Sequence, residues 1–273
     1  MRILITTAGS KNCETTIQIS AQICHVVRTA PTILTVVKGK PQQKKAEKIL
    51  SRAILTMAEN DIQAHTKIRF GQSASEVLAE AREGNYDMLV IGMSPYHRRL
   101  RYIPGSITKA VLAQSPCPVL VAKGKFAALN RLLVCDSGVA SPFLLEYLTD
   151  RMSALLTKNP EVTILHVMSQ MSAGPGVKGW ELRASAKELI QAHTPEGDIL
   201  NQDVKALEQS DIHARTKIRH GLVLDEILAE VQDGGYDMVV IGAHSGSGWQ
   251  HLLLDNLTYK IIHHIDRPVL VLK

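Results

Sequence analysis

The sequence predicts an α/β fold: two tandem doubly wound domains, each with a five-stranded parallel sheet flanked by helices. Three observations predict it. The 273-residue chain carries the same pattern twice. Within each copy, short β-branched runs alternate with segments of helical spacing. At roughly 100–200 residues per domain, the length accommodates two cores.

The repeat is gapless over a long stretch. Asp61-Ile62 through Gly92 matches Asp211-Ile212 through Gly242 at an offset of 150, sharing Thr-Lys-Ile-Arg at 66–69 and 216–219, and Gly71 with Gly221. Leu78-Ala79-Glu80 and Tyr86-Asp87-Met88 recur at 228–230 and 236–238, and Pro118-Val-Leu-Val121 recurs at 268–271. Upstream, Thr32-Ile33-Leu34 matches Thr163-Ile164-Leu165 at offset 131, and Arg2–Ile5 matches Arg131–Val134 at offset 129. The second copy is therefore 19 residues longer between its second and third strands, around 169–200. The copies are expected at 1–125 and 130–273.

Strands of the first copy are expected near 2–7, 32–37, 64–69, 87–92 and 118–122, as runs buried on both faces. Helical spacing covers Glu14–Arg28, Gln43–Glu59, Ser73–Glu83 and Ser106–Gln114. Ser73 with Glu76 reads as a capping box. In such sheets ligands bind beyond the C-terminal strand ends, where the strand order reverses. The loops after the first, second and fourth strands are therefore the ones that matter.

Composition excludes several classes. Hydrophobic residues at 45% and charged residues at 21% exclude wholesale disorder. Cys13, Cys24, Cys117 and Cys135 are too scattered for a disulfide framework, and no CxxC pair suggests thiolate zinc. Met1-Arg2 runs straight into Ile3–Thr7, which reads as a strand rather than a leader, and no apolar run is long enough for a membrane span. A cytoplasmic protein is expected. The net charge of +5 hides an asymmetry: residues 1–125 hold 18 Lys+Arg against 8 Asp+Glu (+10), and residues 126–273 hold 13 against 18 (−5). With aromatics at 4% and no reader motif, nucleic-acid recognition is not supported. His244, His251, His263 and His264 crowd the second copy, but adjacent His263 and His264 point in different directions on a helix, so no metal site is expected.

After the fourth strand the first copy reads Gly92-Met-Ser-Pro95, nine residues, then Gly105-Ser106 opening a helix. This resembles the universal stress protein family, whose nucleotide-binding members carry Gly-x2-Gly-x9-Gly-[Ser/Thr] here. The flanking runs Tyr86–Gly92 and Ser115–Val121, and their counterparts in the second copy, are similar to the same family. The resemblance covers nearly the whole chain. It implies the adenine nucleotide alpha hydrolase-like fold and an adenine-nucleotide site, with magnesium accompanying ATP. Glycines let backbone N–H groups approach a phosphate, and a helix N-terminus adds donors and a positive dipole end. Arg98 and Arg99, with His97 and Arg101, place cations beside that position. The same residues also fit a solvated basic loop with Ser106 as an ordinary N-cap.

Both copies depart from the family pattern. Pro95 replaces the second glycine of the first copy and removes an N–H donor. The second copy keeps Gly242 but has Ser245 at the second glycine and Asp255-Asn256 at the Gly-Ser pair, placing a carboxylate where phosphate would sit. After the first strand, where the family carries an adenine-contacting Asp followed by Gly-Ser, the first copy has Ala8-Gly9-Ser10. The second has Asp136-Ser137-Gly138, whose Asp136 is the adenine candidate or, equally, a turn residue. The strand-two position that reads adenine through its backbone maps to Val36 and Val167, which as valines are core residues first.

The resemblance implies a stress-response regulatory protein binding an adenine nucleotide, in the first copy rather than the second. The alternative is a scaffold or other small-ligand protein with degenerate clefts. No nucleophile elbow, Walker A lysine or paired metal carboxylates occur, so slow ATP hydrolysis is the most chemistry expected. The last strand of each copy is apolar, and in the family it mediates dimerisation. Here it would pair the two copies within one chain, and a homodimer of chains would follow.

Overall fold

Each aliphatic run of the repeat becomes a strand, and each segment of helical spacing becomes a helix. The computed structural model describes residues 1–93, 106–136, 144–168, 178–242 and 249–273. Its backbone divides into two units, Met1–Ala128 with Asp266–Lys273, and Leu129–Ile265.

The first unit runs β1 (Ile3–Thr6), α1 (Lys11–Val27), β2 (Thr32–Val37), α2 (Gln43–Ala58), β3 (His65–Phe70), α3 (Ser73–Glu83), β4 (Met88–Gly92), α4 (Ser106–Gln114) and β5 (Val119–Ala122). The strand order is β3-β2-β1-β4-β5, and these neighbours pair in parallel. The chain builds outward from β1 through β2 to β3, then returns to place β4 on the other side of β1. The order therefore reverses between β1 and β4, where Ile5 lies opposite Val90. On its other side β5 meets Val269–Leu272, which is antiparallel to it and counts with this unit.

The second unit runs β6 (Arg131–Cys135), α5 (Leu144–Arg151), β7 (Glu161–Met168), α6 (Ala186–Gln191), α7 (Pro195–Glu208), β8 (Ala214–His220), α8 (Val223–Gly234), β9 (Met238–Gly242) and α9 (Trp249–His264). Its parallel order β9-β6-β7-β8 repeats β4-β1-β2-β3. The switch point accordingly falls between β6 and β9. Among the described residues no helix is long and apolar enough to cross a membrane.

Two local expectations need correction. The central strands are buried on both faces, but β3 and β8 lie at the edge of their sheets and are largely exposed. The capping box at Ser73 does not form. Gln72 occupies the N-cap with no side-chain bond, and Glu76 pairs instead with Arg69 Nε at 3.2 Å. The arginine reaches the carboxylate because it lies across from it on the edge strand.

That ion pair belongs to a network present in both units. Glu80, on α3, is 1% exposed and accepts from Lys67 Nζ (2.7 Å), Arg69 Nη1 (3.2 Å) and the Tyr86 hydroxyl (2.9 Å). Glu230, on α8 and equally buried, accepts from Lys217 Nζ (2.6 Å), Arg219 Nε (2.6 Å) and the Tyr236 hydroxyl (2.7 Å). Both cations come from alternate positions of one edge strand, which share a face because strand side chains alternate. Burial raises the Glu230 carboxyl, but the hydrogen bonds from Lys217, Tyr236 and Arg219 outweigh it and hold the group below its ordinary value.

A depressed carboxyl contributes stability that is present above its unfolded value and is lost as pH falls. Removing it leaves Lys217 and Arg219 without their buried acceptor. Glu230→Ala is therefore expected to destabilise the second unit by about 3–5 kcal/mol. Chemical denaturation at neutral pH checks this, and the deficit should shrink in acid. A change below 1 kcal/mol at neutral pH would contradict it.

Candidate functional site

The first unit's crevice opens where β2, β1 and β4 end side by side. Thr7 N–H donates to the Leu34 carbonyl (2.9 Å), and Thr35 Oγ1 donates to the Thr7 carbonyl (2.8 Å), so the two strands stay joined to their last residues. Beyond Thr7 the chain turns into solvent, leaving Ala8, Gly9 and Ser10 exposed. Gly9 has φ 71°, and a Cβ there would stand 2.5 Å from Ile49 Cγ1. Only glycine fits both the dihedral and the space. Across the switch point, Gly92 is half-buried, and any side chain on it would collide with Thr16 Oγ1 of α1. Ser106 is the first residue of α4.

The fold thus places Gly9, Ser10, Val36, Gly92 and the start of α4 at C-terminal strand ends or just after them, as the loop argument expects. Gly105, Arg98 and Arg99, with Pro95, His97 and Arg101, lie outside the described residues. Val36 is half-buried rather than a core residue, while Val37 after it, on the opposite face of the strand, is buried, so the face and not the strand end sets its exposure.

Cys13 is a site residue that the sequence reading overlooked. It lies in the first turn of α1, and its Sγ accepts from Ala8 N–H (3.3 Å) and stands 3.2 Å from Ser10 Oγ. Burial pushes its thiol up, but contacts with Ser10, Ala8 and Thr7 outweigh it and leave the thiol below its ordinary value. The signal was available in the Ser10-x-x-Cys13 spacing at a helix start.

The second unit arranges the same strand ends differently. Asp136 follows β6, its N–H donating to the Leu165 carbonyl (3.1 Å), and it is 6% exposed. His166 Nδ1 lies 3.1 Å from the Asp136 carbonyl oxygen. Asp203 of α7 is 1% exposed, and neither of its carboxyl oxygens has a hydrogen-bond partner among the described residues. Burial first, then the nearby charges of Asp136 and Glu146, push the Asp203 carboxyl up to about 8. Gly242 ends β9 beside β6 and is half-buried, as is Val167, which the valine argument had assigned to the core. Ser137, Gly138, His244, Ser245, Gly246 and Gly248 lie outside the described residues, as do the side chains of His251, Asp255 and Asn256. The rings of His263 and His264 stand edge to face at 83°.

The extra segment of the second unit is described from residue 178. It forms a 3-10 turn at Glu181–Arg183 and then α6, capped by Ser185 through a reciprocal bond with Glu188. Ala184 and Leu189 bury themselves with Met168 at the end of β7, against Leu182 and Ile218. His220 Nε2 lies 3.1 Å from the Ala184 carbonyl. The insertion therefore packs at the C-terminal ends of β7 and β8.

The Universal stress protein family model matches residues 1–123 and again 130–273. The chain belongs to the universal stress protein family. It is 21% identical over 240 residues to Universal stress protein Slr1230 of Synechocystis, covering 86% of this chain and 75% of that one. Universal stress protein MJ0577 of Methanocaldococcus jannaschii is 28% identical over 127 residues, covering 42% of this chain and 78% of its own. The crystal structure of a universal stress protein from Archaeoglobus fulgidus superposes on all of this chain and 96% of its own, with TM-score 0.70 and 18% identity. Family and fold are thereby as the sequence implied.

The cysteines separate by environment. Burial pushes Cys24 up to about 12 and also raises Cys117 and Cys135. Since the thiolate is the nucleophile, iodoacetamide at neutral pH is expected to label Cys13 at least about tenfold faster than the other three. Peptide mapping by mass spectrometry over a time course checks the order, and prior labelling of Cys117 or Cys135 would contradict it.

Proposed function

We propose that this universal stress protein is a cytoplasmic regulatory protein of the stress response that binds an adenine nucleotide in the crevice of its first copy, residues 1–125. The observation that carries this reading is the pair of glycines at the switch point. Gly9 and Gly92 flank the β1–β4 boundary, and neither position admits a side chain, because a Cβ would run into Ile49 or Thr16. Such bare backbone suits close approach by a phosphate or ribose. In this reading Gly92 lies near ribose, Gly105 and Ser106 meet phosphate with Arg98 and Arg99 beside them, and Val36 meets adenine through its backbone. Gly9 and Ser10 line the entrance.

Magnesium arriving with ATP would be held chiefly by phosphate oxygens, because Ala8, Gly9 and Ser10 offer no carboxylate there. The second copy, residues 130–273, keeps Asp136, Val167 and Gly242, but Asp136 is buried. Binding free energy would bias a conformation or a partner surface instead of driving chemistry. Pairing of the two copies through their last strands, and dimerisation of chains, belong to the same proposal.

Equilibrium binding of ATP and AMP to the full chain and to Gly105→Asp tests the assignment. The variant puts a carboxylate at the phosphate position, so affinity should fall at least about tenfold, or about 1.4 kcal/mol. Unchanged affinity would overturn the placement. A second reading, a scaffold with degenerate clefts, draws on Ala8, Pro95, Ser245 and Asp255, and on the engaged Asp136. Native mass spectrometry separates the two: a retained mass of ATP or AMP supports nucleotide binding, and a lipid-like mass or none supports the scaffold.

A further inference from the structure

The two units differ at one end of their edge strands. In the second, the insertion seats Leu182, Ala184 and Leu189 on Met168 and Ile218, and the His220 ring meets the Ala184 carbonyl at 3.1 Å. The repeat places Val37, Ile68 and Phe70 at the matching positions of the first unit, at offsets 131 and 150. Val37 lies opposite Phe70 in the register, as Met168 lies opposite His220. Between β2 and α2 the first unit has only Lys38, Gly39 and a 3-10 turn at Lys40–Gln42, so among the described residues it has no segment equivalent to α6. Phe70 is left 40% exposed, a large aromatic side chain on an edge strand.

The surroundings of Phe70 are basic. Arg69 beside it points to Glu76, Glu80 and Glu83 of α3, so Phe70 faces the other side of the sheet, the side of α2. As the crossover between two parallel strands, α2 runs back along the sheet and starts at the end where Phe70 lies. Lys38, Lys40, Lys44, Lys45 and Lys48 gather around that start, all are exposed, and among the described residues none of them forms an ion pair. The only carboxylate within 38–48 is Glu47, which accepts from Gln43 Nε2 at 2.9 Å. Cations gathered in this way repel one another and favour an anionic neighbour. In the second unit Thr194, Pro195 and Asp198 stand in place of Lys44, Lys45 and Lys48, so these lysines accompany the open face alone.

We propose that this face of the first unit docks a short acidic helical segment of a partner protein, which seats leucine side chains on Phe70 and Ile68 and sets carboxylates among the lysines of α2. The second unit shows the form of the occupant: a 3-10 turn and the six residues Ala186–Gln191 suffice to close the same face. The lysines set its charge. A second copy of this chain cannot supply the segment through α6, because α6 is already seated on its own second unit. An anionic lipid surface would meet the lysines but gives no reason for the face to match one that a helix covers. The proposal goes beyond the nucleotide reading and does not depend on it.

Fluorescence anisotropy on the full chain tests it, with a labelled synthetic peptide of residues 180–192 that carries Arg183→Glu and Lys187→Glu. The peptide keeps Leu182 and Leu189 and is acidic. It should bind with Kd below about 1 mM. Affinity should weaken at least about tenfold when salt is raised from about 50 to about 300 mM. In the full chain, Phe70→Ala should weaken binding at least about tenfold, and so should Lys44→Glu together with Lys48→Glu.

Absence of binding, or an affinity indifferent to both variants, overturns the proposal. Should a variant not fold, cross-linking of the peptide to the wild type, mapped by mass spectrometry, decides. Adducts within residues 38–48 and 65–70 support the site, and adducts only elsewhere overturn it. Self-association of the chain that Phe70→Ala abolishes would assign the face to a second copy. Retention on phosphatidylserine vesicles without peptide binding, lost in Lys44→Glu with Lys48→Glu, would assign it to a lipid surface. Either result overturns the partner segment.

Discussion

A carboxylate withdrawn from water costs several kcal/mol unless charged and hydrogen-bonding partners replace its hydration. Glu80 and Glu230 impose that condition once in each unit. Each requires two cations from one edge strand and a tyrosine hydroxyl from the loop after its own helix. Meeting the requirement ties helix, edge strand and the following turn into one arrangement. It also gives the edge strand a row of charges, which discourages pairing with another sheet. The tyrosines are held in turn: Arg2 stacks over Tyr86 and Arg131 over Tyr236, at 5.5 and 5.4 Å from the ring centroids. Beside them Asp87 accepts from Arg2 N–H, and Asp237 from Asn130 and Arg131 N–H.

This explains part of the agreement between the copies. Lys67, Arg69, Glu80, Tyr86 and Asp87 are all members of that network, and every one recurs at offset 150. These matching letters therefore mark the end of the sheet opposite the switch point, together with the edge strand, while the matched Gly92 and Gly242 lie at the switch point itself. No comparable mutual requirement binds the residues after β1 and β6, where one unit has an exposed Ala-Gly-Ser and the other a buried Asp. A network in which each residue satisfies another's burial changes only in concert, whereas a crevice facing solvent can change one residue at a time.

The fold was legible because its signals are local and periodic. Helix Gln43–Ala58 starts and strand Thr32–Val37 both starts and ends where the spacing places them, and the offset change correctly announced extra residues before α7. Less legible were features that depend on side chains meeting across elements. The Ser73–Glu76 spacing suggested a cap, but Arg69, four positions earlier on a different element, captured the glutamate. Val36 and Val167 read as core by residue type, yet each is half-buried while the next residue, Val37 or Met168 on the opposite face, is buried. Of the candidate site, the strand ends could be located from the order of elements alone. Cys13 escaped because the helix was expected from Glu14, which leaves Ser10-x-x-Cys13 outside it, whereas α1 starts at Lys11; Asp203 escaped because an Asp within an amphipathic helix reads as a surface residue until the fold turns it inward.

Asp203 also bears on what the insertion does. A helix that buries a carboxyl at 1% exposure must be held there by packing elsewhere, since the carboxyl itself favours water. The insertion supplies packing at the same end of the sheet: α6 lies against α7 and β8, with Ala184 and Leu189 closing over Met168. Contacts from α6 hold α7 in place, and α7 in turn keeps Asp203 buried. In the first unit only a 3-10 turn at Lys40–Gln42 intervenes between β2 and α2, and the strand end at Ala8–Ser10 stays open to solvent. One change of chain length, placed between a second strand and its following helix, covers the ends of β7 and β8 with packed side chains, whereas the strand end at Ala8–Ser10 in the other copy presents exposed backbone.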